Sequence, residues 1–182
     1  MQNSLLFLVK TLSDLYLLTF LLRIILQWMR ASYYNPLAQF IWKVTTPLVR
    51  PVRRILPSTG AIDVAALLVL IVLECVATWV LLAIAGLRAP LPIFALLVVI
   101  RLGSLTLWFY TVAIFIYVLL SWFTQSYSPM GAVLGELVEP VLRPARRLLP
   151  PVGGLDLAPA LVMILLFAVL IGLSGLIPLP LR

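Results

Sequence analysis

Two carboxylates, Asp14 and Glu74, stand inside long apolar runs. Carboxylates so placed can hold a cation or share a proton, and either is costly there if ionised alone. Asp14 lies about fourteen residues, and Glu74 about twelve, from the basic ends of their runs, so at ~1.5 Å per helical residue they reach similar depth. That makes them a possible intramembrane ion site. The alternative is internal pairing: Lys10, four residues before Asp14, would neutralise it, and Lys10 or Arg23 would satisfy Glu74. Other chemistry has little to work with. The chain has no histidine and one cysteine, Cys75 in an apolar run, which excludes an intrachain disulfide and a His/Cys metal centre. It shows no nucleophile elbow, no phosphate-binding glycine loop and no metal-ligand cluster, so the expectation is a non-enzyme without cofactor or metal.

The second group that could do chemistry is basic, and it is written twice. "TTPLVRPVRRILPSTGAID" begins at Thr45 and "VEPVLRPARRLLPPVGGLD" at Val138. A shift of 93 residues aligns Tyr34 with Tyr127, Pro36 with Pro129, Pro47 with Pro140, Arg50 with Arg143 and Pro51 with Pro144. The same shift aligns Arg53 and Arg54 with Arg146 and Arg147, Pro57 with Pro150, Gly60 with Gly153 and Asp63 with Asp156. Agreement at so many Pro, Arg, Gly and Asp positions in one register reads as a tandem duplication, repeat 1 over 1–90 and repeat 2 over 91–182. Arg50, Arg53 and Arg54 fall at i, i+3 and i+4, which predicts one cationic helix face with Leu48, Val52, Ile55 and Leu56 on the other. Thr46-Pro47 and Glu139-Pro140 read as N-cap followed by first helical residue. Pro51 and Pro144 should then bend the segment, and Pro57 and Pro150 should end it before Gly60 and Gly153. Asp63 and Asp156 are expected to cap the helices that follow, with an ion pair to a linker arginine as the alternative. Arg50, Arg53, Arg54, Arg143, Arg146 and Arg147 are thus candidates to bind anionic phospholipid or an acidic partner protein; anchoring alone is the plainer reading.

These groups sit in a chain that is 64% hydrophobic and 10% charged, with mean hydropathy +1.19, which is the composition of an integral membrane protein. Nucleic acid is a poor partner for its net charge of +7; cytoplasmic loops beside anionic lipid are a better one. Apolar runs of about 20 residues cross ~30 Å of hydrocarbon, and four are present, at roughly 5–28, 62–87, 102–123 and 157–177. The first lacks the basic leader and cleavage site of a signal sequence, so it reads as a retained span. The stretch 90–100 is too short to cross alone and either extends the third span or lies in the interface. Eight cations, Arg30 and Lys43 with the six linker arginines, lie between spans on one side, against Arg88, Arg182, Arg101 and Lys10 towards the other. The positive-inside rule makes the linkers cytoplasmic and both termini periplasmic. The expected fold is all-α: four transmembrane helices as two parallel repeats, each with a bent amphipathic interfacial or re-entrant linker. Ala168 and Gly172 on the last span would allow close helix contact, including contact between copies in a homo-oligomer.

The doubled arrangement of helix, "P-x-x-R-P-x-R-R-x-L-P", glycine, aspartate and helix resembles the YggT family of small bacterial membrane proteins, related to the YlmG proteins of cyanobacteria and plastids. The resemblance covers essentially the whole chain and is closer to the two-copy proteobacterial members. It implies a bacterial inner-membrane protein associated with envelope or osmotic stress tolerance, and in relatives with division, nucleoid distribution or assembly of membrane complexes. No catalytic residues come with it.

Overall fold

The computed structural model describes residues 1–29, 36–56, 63–123, 129–149 and 156–178. All regular structure among them is helical: α1 Gln2–Trp28, α2 Pro36–Arg53, α3 Val64–Ala85, α4 Leu91–Phe123, α5 Pro129–Leu148 and α6 Ala158–Leu176. Four of these, α1, α3, α4 and α6, are long and apolar enough to cross a bilayer, as the four apolar runs predict, and the protein is a multi-pass membrane protein. Pro57, Gly60, Pro150 and Gly153 lie outside the described residues.

The open choice at 90–100 resolves towards extension. Residues from Leu91 on form the start of α4, whose first turn closes with Phe94 N–H donating to the Pro90 carbonyl at 2.9 Å. Proline at such a start has no helical amide bond to lose. At 33 residues α4 is ~50 Å long, well beyond the ~30 Å hydrocarbon core, so it tilts or projects. Its predecessor stops at Gly86, which adopts φ 69°, ψ 19° and lets the Gly86 and Leu87 amides close on the Ala83 and Leu82 carbonyls. That left-handed closure favours glycine because a β-carbon is strained there.

The linker segments differ from expectation. Thr46-Pro47 and Glu139-Pro140 start no helix: α2 runs unbroken through Pro47 and Pro51, and α5 through Pro140 and Pro144. Thr45 and Thr46 are interior helical residues whose hydroxyls donate back to the Ile41 and Trp42 carbonyls at 2.7 and 2.5 Å. Each proline deprives the carbonyl four residues earlier of its donor. Pro47, Pro51 and Pro144 are exposed, so those carbonyls open towards an accessible side, a position tolerable at a polar interface but not in hydrocarbon.

By packing, the chain divides into Met1–Leu105 with Leu176–Arg182, and Thr106–Gly175. In the first unit α1 packs on α3 and on α2. The helices α1 and α3 are antiparallel: Gln2 donates to the Ile84 carbonyl at 2.7 Å, while Arg23 meets Asp63 at the opposite ends. Leu17, Phe20, Val49, Ala65, Ala66, Val69, Leu70 and Ala77 form the core between them, and Leu102 and Leu105 of α4 pack against it. In the second unit Ala113, Ile114, Val138, Leu142, Ala145, Ala158 and Val162 form the core of α4, α5 and α6. Residues 93 apart recur in the two cores: Phe20 and Ala113, Val49 and Leu142, Ala65 and Ala158, Val69 and Val162.

Candidate functional site

The packed face of α2 is Ala38, Ile41, Thr45 and Val49, a run of i, i+3, i+7 and i+11 that forms one stripe. The apolar face expected of Leu48, Val52, Ile55 and Leu56 is therefore misplaced. Only Val52 packs on the core, whereas Leu48, Ile55 and Leu56 are exposed. The reason is continuity: a helix begun at Pro36 fixes its phase before the prolines and carries Val49 inward. On α5 the packed stripe is Val138, Leu142 and Ala145.

The arginines divide into two kinds. Arg50, Arg54, Arg143 and Arg147 are exposed. Arg53, itself exposed, and Arg146, about a third exposed, correspond under the 93-residue shift and turn to the aspartate ten residues on. Asp63 unites both roles foreseen for it. Its Oδ1 accepts the Ala66 amide at 3.1 Å as the N-cap of α3, and its Oδ2 accepts Arg53 and, at 3.2 Å, Arg23 Nε. Arg23 is buried in α1 and also donates from Nη1 to Thr45 Oγ1 at 2.7 Å, so one side chain ties α1, α2 and the start of α3 together. Asp156 repeats the pattern more loosely: Oδ1 accepts the Ala158 amide at 3.0 Å and Oδ2 accepts Arg146 Nε at 2.9 Å. Arg146 also meets Glu139 at 2.5 Å and Tyr117 Oη at 3.5 Å. Its pKa is raised: partial burial works against the charge, but the bonds to Tyr117 and Asp156 and the charges of Asp156 and Glu139 together outweigh it.

The intramembrane carboxylates do meet, through a cation whose sequence position alone marks it only as a flanking charge. Arg101 of α4 donates from Nε to Glu74 Oε1 at 2.7 Å and from Nη2 to Asp14 Oδ1 at 3.0 Å. Thr78, one turn after Glu74, donates to the same Oε1 at 2.9 Å. Glu74 and Arg101 are buried, and Asp14 is about a third exposed. The partners expected for Glu74, Lys10 or Arg23, are displaced by Arg101, because Arg23 is committed to Asp63. A signal for this was present: once 91–100 belongs to a span, Arg101 is a cation deep in apolar helix and needs an anion. The guanidinium fills the space between the two carboxylates. Among the described residues no group of histidine, cysteine, aspartate or glutamate side chains is placed to hold a metal ion.

Comparison with known proteins fits this architecture. The family model described as CCB3/YggT matches residues 2–84 and 94–177. YggT of Escherichia coli K12 is 38% identical over 174 residues, covering 95% of this chain and 90% of its own. A protein encoded in the proC 3′ region of Vibrio alginolyticus is 41% identical over 170 residues, covering 90% of this chain and 89% of its own. An uncharacterized protein of Pseudomonas aeruginosa is 41% identical over 162 residues, covering 87% and 82%. No solved structure matches. With both halves of the chain matched and relatives aligned over nearly its whole length, the chain belongs to the CCB3/YggT family.

Proposed function

We propose that the protein is a non-enzymatic scaffold or assembly factor of the bacterial inner membrane, acting in envelope homeostasis and osmotic stress tolerance. Its two amphipathic helices lie on the cytoplasmic side, both termini are periplasmic, and the helices contact anionic phospholipid or acidic partner proteins. The observation that carries this reading is the division of labour among the arginines. Arg53 and Arg146 bind each amphipathic helix to the span that follows through Asp63 and Asp156, while the exposed Arg50, Arg54, Arg143 and Arg147 form no ion pair among the described residues. Cations held outward on a helix docked to membrane spans suit a charged leaflet or an acidic surface. A tandem-repeat construction is supported by the equivalent Arg–Asp pairs and by the two matched segments.

One observation favours a second reading, a small ion or osmolyte transporter: Asp14 and Glu74 converge inside the spans. Against it stands Arg101, which already supplies the positive charge a transported cation would bring. Flux measurements in proteoliposomes separate the two. The scaffold reading expects no solute-dependent flux above protein-free vesicles; wild-type flux that disappears in Glu74→Gln would establish the transporter. Crosslinking from Arg147→Cys in native membranes should recover envelope or division proteins in the scaffold case.

A further inference from the structure

The two amphipathic helices are not equivalent. Lys43 and Arg50 are two turns apart on the exposed side of α2, and Arg54 continues the same stripe in the closing turn. No carboxylate occurs between Pro36 and Leu56. On α5 the matching positions are Glu136, Arg143 and Arg147, all exposed, and Glu139 adds a second carboxylate, bound to Arg146. One helix therefore presents three cations in line, the other two cations behind an acid. The helix dipole favours basic residues in the last turn, where Arg50 and Arg53 lie, but gives Lys43 no advantage two turns earlier. Phe40 stands beside the α2 stripe, and Leu48 and Ile55 lie further round the same side, between the cations and the packed face, all three exposed. A flank of exposed apolar side chains next to a row of cations matches acyl chains next to phosphate, the chemistry of a lipid surface and not of a dissolved anion.

We infer that Lys43, Arg50 and Arg54 form a binding site for the phosphate headgroup of an anionic phospholipid, and that the corresponding face of α5 is not such a site. This rests on the lipid contact proposed above and sharpens it to one helix. Lys43 joins the site, and Arg53, bound to Asp63, leaves it.

The test measures phosphatidylglycerol retained by the purified full-length protein from mixed phosphatidylglycerol–phosphatidylcholine micelles, read by native mass spectrometry. Replacing Lys43, Arg50 and Arg54 together by Gln is expected to lower retention about a hundredfold, whereas Arg143→Gln with Arg147→Gln should change it by less than about fivefold. Glu136→Lys, which gives α5 the charge order of α2, should raise retention, an outcome that misfolding cannot produce. Equal losses from the two sets would overturn the inequality while leaving lipid contact in place. No loss from either set, in variants that unfold at the wild-type temperature, would remove lipid contact altogether. Displacement of phosphatidylglycerol by inorganic phosphate, at an ionic strength where chloride has no effect, would replace the headgroup site by a site for free phosphate.

Discussion

Arg101 shows how a buried ion is fixed by what it leaves behind. Its side chain faces Asp14 and Glu74, and removing it strands both carboxylates among apolar helices. Breaking a buried pair by deleting one partner costs about 3–5 kcal/mol, whereas deleting the whole group is often close to neutral. Arg101→Met should therefore lower the apparent melting temperature in detergent markedly, and adding Asp14→Asn and Glu74→Gln should restore most of it. A triple variant no more stable than the single one would mean that the network holds α4 by geometry and not by charge balance. The two aspartates give a second contrast. Asp63 is fully buried between Arg23 and Arg53, while Asp156 and Arg146 are each about a third exposed. Asp63→Asn is expected to cost about 3 kcal/mol or more and Asp156→Asn less than about 1 kcal/mol, measured by chemical unfolding. Equal costs would contradict the burial difference.

Which face of α2 is packed was the part of the fold least legible from its residues. Apolar length alone located α1, α3 and α6, because crossing hydrocarbon demands about 20 such residues and little else. The arginine repeat likewise marked both linkers. Proline misled, since it reads as a helix start or stop, and here α2 runs on through Pro47 and Pro51 at exposed positions, where the carbonyls left without a donor remain accessible. The pairing of Glu74 was hard to read for a different reason: Arg101 is 27 residues from Glu74 and 87 from Asp14, separations that no local pattern encodes, and its need for an anion shows only once 91–100 belongs to a span. The corrected face is open to a direct comparison. Val49 is 1% exposed and Leu48 41%. Val49→Ala should cost about 1–2 kcal/mol through lost methyl burial and the cavity left behind, and the larger truncation Leu48→Ala less than about 0.5 kcal/mol. The reverse order in urea unfolding would restore Leu48 to the core and place the helix start at Pro47.

Orientation in the membrane follows from where the charges end up once the helices are placed. Gln2 and Ile84 share one end of the α1–α3 pair, and Asp63, with Arg23, Arg53 and the exposed Arg50 and Arg54, occupies the other. Cations near span ends are retained on the cytoplasmic side, and the bias depends on Lys and Arg and not on net charge. The carboxylates that pair with Arg53 and Arg146 therefore do not cancel their weight, and the arginine end is expected inside. With Cys75 first replaced by serine, a cysteine at Gln2 should react with a membrane-impermeant maleimide in intact cells, after the outer membrane is made permeable. A cysteine at Leu148, which is 78% exposed at the end of α5, should react only after the inner membrane is broken. Labelling of Leu148→Cys in intact cells with Gln2→Cys protected would invert the protein and turn the arginine faces towards the periplasm. Labelling of both in intact cells would show that the two linkers do not share a side, and a parallel two-repeat arrangement, which needs them together, would fall with it.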